Sequence, residues 1–132
     1  MITTSLRTKI EYELEDILLS CRYEVTLDEL LKASQNAIIE KCPEVILYFT
    51  KNGYTGFTLE EVFDMISSTL DRISCRVQTY RELIEKKVKN YNRGLFCLSE
   101  VFDYVNNITT NTNHQYREIC LKETVNQLTT KN

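Results

Sequence analysis

The 132-residue chain reads as all-α: a single helical domain built as a bundle of about six helices, one of them long and central. Three observations carry that reading. Glycine and proline number only three and one, and because these residues punctuate turns, few turns and long helices follow. Apolar residues recur at steps of three and four over most of the chain. Thr26/Glu29 and Thr58/Glu61 stand at capping-box spacing, where the hydroxyl and the glutamate each satisfy an orphan backbone N–H.

The first helix is expected over about residues 5–21. Leu6, Ile10, Leu14, Ile17, Leu18 and Cys21 form its apolar stripe, with Lys9, Glu11 and Glu15 on the solvated side. "VTLDELL" starts a second helix that turns Leu27, Leu30, Leu31, Ser34, Ala37 and Ile38 inward. Pro43 suits the first position of a short third helix, where its missing N–H costs nothing. That helix, "PEVILYFTK", is apolar on most sides and is expected deep in the core, closed by a left-handed cap at Asn52-Gly53.

The long helix is expected over about 59–91. From Phe63 its apolar positions run through Ile66, Leu70, Ile73, Val77, Tyr80 and Ile84, with Tyr91 on the next heptad and Lys87 as the one interruption. At 1.5 Å per residue it would be roughly 50 Å long. Short helices must cover both halves of such a stripe, or another chain covers one half, or the helix bends near 74–75. Asn92-Arg93-Gly94 closes it. A helix over 95–108 follows, with Leu95, Leu98, Val101, Phe102 and Val105 inside, then a polar loop over 109–113. A last helix over 114–128 carries Tyr116, Ile119, Cys120 and Leu128, and the tail beyond it is expected to fray.

The net charge of −3 hides an asymmetry. Residues 11–64 hold twelve acids against four bases, a net of −8, whereas residues 72–93 hold seven bases against two acids, a net of +5. No apolar run reaches the length of a membrane span, and "MITTSLRTKI" lacks the apolar segment of a secretory signal. An intracellular protein is expected, in the cytoplasm first, with the nucleus as the lesser alternative. In that setting the five cysteines read as reduced, mostly buried small hydrophobes, since none forms C-x-x-C and there is only one histidine.

Candidate chemistry is sparse. "FTLEEVFD" and "FCLSEVFD" repeat Glu-Val-Phe-Asp, which places Glu61/Asp64 and Glu100/Asp103 three apart on their helices. The pattern resembles the Glu-x-x-Asp motifs of all-α nucleotide pyrophosphatases, and that resemblance implies Mg²⁺-dependent nucleotide hydrolysis. Helical phase argues otherwise, because a stripe centred on Leu59, Phe63 and Ile66 turns both acids of the first pair outward, and capping already accounts for Glu61. "VTLDELLK" shares the same opening, so a common way of starting core helices explains all three segments. His114 sits at a helix start after a polar loop, where an exposed histidine is the ordinary reading. No metal site, cofactor or catalytic residue is expected.

Two surfaces remain. Arg81, Lys86, Lys87, Lys89 and Arg93, with nearby tyrosines, form a possible anion-binding face for nucleic acid or lipid headgroups; the ordinary reading is a solvated helix end with cations placed well against the helix dipole. Val77, Tyr80, Ile84, Val88 and Tyr91 form the stretch of the long stripe most available to a partner or a second copy. "NYNRGLF" (90–96) before an apolar helix resembles the Asn-Trp-Gly-Arg signature of Bcl-2-like proteins, with the order changed and the tryptophan absent; that resemblance implies a helix-groove binder. The favoured expectation is a non-enzymatic helical interaction protein, a homodimer or a subunit of a larger assembly.

Overall fold

A computed structural model describes residues 3–23, 25–109 and 114–129. Among these residues the chain forms seven α-helices and no strand. Of the loop expected over 109–113 and the fraying tail expected over 129–132, residues 110–113 and 130–132 lie outside the described residues. The helices are α1 (Thr4–Ser20), α2 (Leu27–Lys32), α3 (Gln35–Lys41), α4 (Glu44–Lys51), α5 (Leu59–Asn92), α6 (Leu98–Ile108) and α7 (His114–Thr129). None is long and apolar enough to cross a membrane.

The expected second helix is two helices. Ala33 is extended (φ −72°, ψ 149°), and Ser34 starts α3 by accepting the Ala37 N–H at 3.2 Å. A side-chain oxygen that can cap a helix competes with continuing one, and here capping wins. Gly53 takes the expected left-handed conformation (φ 72°), and Gly94, in the segment expected to close the long helix, is left-handed as well (φ 77°). The Thr58/Glu61 box closes in both directions: Thr58 N–H donates to Glu61 Oε1 at 2.9 Å, and Glu61 N–H donates to Thr58 Oγ1 at 3.1 Å.

Helix α5 runs unbroken through Ser74 and Cys75, the point at which the chain divides into two compact units, Met1–Ser74 and Cys75–Asn132. Its buried line is not the expected heptad seam. Val62, Ile66, Thr69, Ile73, Val77, Ile84 and Val88 are buried, with half-buried Tyr80 in sequence between them. The steps are 4, 3, 4, 4, 3, 4 and 4, an eleven-residue pattern. A straight helix drifts about 20° per heptad from a strict seven-residue repeat. Heptad positions therefore coincide with the buried line in the middle and leave it at the ends: Leu59 is 61% exposed, and Phe63 and Tyr91 are only half-buried.

In the first unit, Ile10, Leu14, Leu18 and Leu19 of α1 are buried, together with Leu30, Ile38, Val45, Phe49, Val62, Met65, Ile66 and Ile73. Helix α1 packs on α4. Helix α4 is shallower than expected: Val45 and Phe49, one turn apart, point inward, while Leu47 is 62% exposed. An eight-residue helix with one covered face buries one stripe however apolar the rest is. Tyr48, Phe49, Tyr54 and Phe57 pack edge to face behind it, with centroids 5.4–6.3 Å apart. Cys21 and Cys42 form a disulfide with Cα atoms 6.3 Å apart, so these two are not the reduced thiols expected. Their pairing depends on how α1 and α3 end beside each other, which no spacing in the sequence encodes.

In the second unit, α6 packs on α7, and Ile84, Val88, Val105 and Cys120 form a core flanked by Tyr80, Leu121 and Leu128. The buried threonine hydroxyls of both units are satisfied one turn back: Thr69 donates to the Met65 carbonyl, Thr109 to Val105 and Thr124 to Cys120, at 2.7–2.8 Å.

Truncating Ile84 to alanine should destabilise the second unit by about 2–4 kcal/mol through lost transfer energy and a residual cavity. Val125→Ala, at a 46% exposed position, should stay within about 0.5 kcal/mol. Urea denaturation followed by circular dichroism checks both, and comparable losses from the two substitutions would contradict this core.

Candidate interaction surfaces

The residues singled out as chemistry are mostly occupied by the fold. Glu61 caps α5, and its hydrogen bonds from the Thr58 backbone and side chain hold its carboxyl below the usual range. Asp64 pairs with Arg7 at 2.7 Å. Glu100 and Asp103 are exposed on α6, in the other unit. His114 is exposed and lies 3.2 Å from Glu118 along α7. Cys75 and Cys97 are exposed thiols, while burial first, and then Glu123, pushes the Cys120 thiol up to about 12.

Sequence reasoning missed the ion network between α1 and the first half of α5. Glu11 and Glu15, expected on a wet face, are 8% and 3% exposed. Arg7 Nε meets Glu11 at 2.7 Å, and Arg72 reaches Glu15 at 3.4 Å and Glu11 at 3.7 Å. Arg7 also donates to Ser68 Oγ at 3.2 Å, and its guanidinium is held above its ordinary value, first by the hydrogen bonds to Glu11 and Asp64. Carboxylates so placed need partners, because an unpaired buried charge is strongly destabilising. The arginines supply them. Arg72 also sits over the Tyr12 ring at 5.6 Å. A signal was present in the sequence: Arg72 falls within the basic stretch, and Glu11 and Glu15 are one turn apart on α1. Only the packing of two distant segments turns it into a contact. Beside it, Tyr48 O–H donates to the Glu13 carboxylate; burial and then Glu13 raise the phenol above its ordinary value.

The proposed partner surface and the proposed anion face come out differently from the sequence reading. Val77, Ile84 and Val88 are 2%, 1% and 4% exposed within the chain itself, so they are not surplus surface; Tyr80 and Tyr91 are half-buried. Helices α6 and α7, too short to suggest it from sequence, supply the cover over Ile84 and Val88. Of the five basic residues, Arg81 pairs with Glu123 at 3.2 Å. Lys87, the interruption in the seam, places its ammonium 3.8 Å from the Phe96 ring centroid and 4.4 Å from that of Tyr104. Lys86, Lys89 and Arg93 are exposed.

The exposed large apolar residues lie elsewhere. Leu95 (64%) and Leu98 (44%) flank the start of α6, and half-buried Phe102 continues the line at steps of three and four. The sequence reading had placed Leu95 and Leu98 inside, but the helix starts only at Leu98. Ile46 and Leu47 form a second exposed pair on α4.

The fold thus defines an all-α protein with one long helix shared by two units. No protein-family model matches the chain, and no curated protein and no solved structure matches it.

The Glu61 cap carries a pH dependence of known sign. A carboxyl lowered on folding adds stability that is complete above its ordinary range and is lost as pH falls through its own depressed value. The melting-temperature difference between wild type and Glu61→Gln should therefore be positive at neutral pH and shrink between about pH 5 and pH 3. A constant difference across that range would contradict the cap.

Proposed function

We propose that this chain is a non-enzymatic helical interaction protein that self-associates or joins a larger assembly. The observation that carries the reading is the exposed apolar line Leu95–Leu98–Phe102 at the head of α6. Burying two leucines and part of a phenylalanine at a contact yields about 25 cal/mol per Å² of apolar surface removed from water; Leu98 and Phe102, one turn apart on α6, with Leu95 just before the helix, suit a helix groove. Leu47 and Ile46 on α4 offer a second contact of the same kind.

The exposed cations Lys86, Lys89 and Arg93 favour a charged component in that contact, since residues 11–64 of a second copy carry an excess of acid. The reading places the protein inside the cell, where a Cys21–Cys42 disulfide would be redox-responsive rather than a permanent staple.

Sedimentation velocity of the full chain over micromolar concentrations tests it. Wild type should form a dimer or larger species, and the double variant Leu95→Asp/Leu98→Asp should be a monomer of unchanged helicity. A wild type that stays monomeric throughout overturns the self-association reading. Association that persists unaltered in the double variant removes α6 as its surface.

A further inference from the structure

The Cys21–Cys42 link lies where three elements end or begin. Cys21 follows α1 in a 3₁₀ turn (Cys21–Tyr23), Cys42 caps the C-terminus of α3, and Glu44 opens α4 just beyond Pro43. Glu44 Oε2 lies 3.9 Å from Cys21 Sγ, and the two sulfurs and a Glu44 oxygen all fall within 4.8 Å of one another. Cys42 is fully buried and Cys21 is 9% exposed. A pocket of about 240 Å³, lined by Asp16, Ile17, Ser20, Cys21 and Glu44, opens onto the cluster. A linkage that only staples the fold needs neither a carboxylate against its sulfur nor an opening beside it.

Two thiolates and a carboxylate are a donor set for zinc-class cations, which take thiolate at about 2.3 Å and carboxylate at about 2.0–2.2 Å in tetrahedral geometry. Cα atoms 6.3 Å apart let both sulfurs approach one ion. The pocket leaves a fourth position for water or for the oxygens of Ser20 and Asp16 that line it.

We propose that Cys21, Cys42 and Glu44 form a thiol-gated site for a thiophilic divalent cation, in which the disulfide and the bound ion are alternative states of the same residues. In the linked state the sulfurs hold each other and offer no thiolate. A low-molecular-weight thiol opens the site by exchange: one thiolate attacks a sulfur to give a mixed disulfide and free one cysteine, and a second thiol displaces the other. The products are two protein thiols and one small-molecule disulfide. The ion then displaces both thiol protons to solvent, and the Glu44 carboxylate completes three protein ligands. Either state ties the end of α1 to the end of α3 and closes a 21-residue span that holds two short helices.

The test uses the full-length chain with Co²⁺ as the probe, read by its thiolate charge-transfer and tetrahedral absorption bands. The reduced chain should bind one equivalent, and the linked chain should show no thiolate band. Cys75→Ser/Cys97→Ser, which removes the exposed thiols, should bind as wild type. Glu44→Gln, at an exposed position outside the core, should weaken binding by more than about tenfold, since losing even an outer partner of a metal ligand costs that much. Absence of the band in the reduced chain overturns the proposal, as does an equal band in the linked chain. Unchanged affinity in Glu44→Gln overturns it too, as does loss of the band in Cys75→Ser/Cys97→Ser. None of these comparisons requires a substitution in the buried core.

Discussion

Helix α5 is 34 residues long, with an apolar line from Val62 to Val88, and the other six helices are only 6 to 17 residues long. At 1.5 Å per residue that line extends for about 39 Å, beyond the reach of any one neighbour. Several short elements must therefore share the covering of it, and the two compact units meet that constraint separately. Helix α1 contributes Ile10, Leu14, Leu18 and Leu19 to the first core; α6 and α7 contribute Val105 and Cys120 to the second. The eleven-residue spacing keeps the line on one face of an ordinary helix, whereas a strict heptad would have required supercoiling.

Electrostatics follow from the same arrangement. Packing α1 along α5 takes Glu11 and Glu15 out of water, and Arg7 and Arg72 compensate them. Part of the acidic N-terminal segment is therefore neutralised inside its own unit, by an arginine from the start of the basic stretch. The exposed groups are more local than the charge pattern suggests: Lys86, Lys89 and Arg93 among the cations, and Leu95 and Leu98 at the head of α6, with Ile46 and Leu47 on α4, among the large apolar residues.

Features written in local chemistry were legible in the sequence. The all-α class, the long helix, the Thr58/Glu61 box and the glycine caps all depend on residues within one turn of each other. Features set by distant packing were not. Glu11 and Glu15 look solvated until α5 arrives, Leu47 looks buried until only one face of α4 is covered, and Cys21 and Cys42 look unrelated until two helix ends meet. The break at Ala33–Ser34 lies between these cases: serine is a capping residue type, but Ser34 falls on the apparent apolar stripe and so reads as the interior of one helix. Of the candidate surfaces, Lys86, Lys89 and Arg93 remained exposed, whereas Val77, Ile84 and Val88 went into the core because a stripe read from sequence does not reveal which neighbours already cover it.

The account depends on α5 being one uninterrupted helix that serves both cores. Native-state hydrogen exchange along its backbone addresses this directly. A continuous ladder predicts protected amides through Ile73, Ser74, Cys75, Arg76 and Val77, with no drop at the unit boundary. Amides over 73–77 exchanging at unprotected rates, between two protected halves, would contradict it.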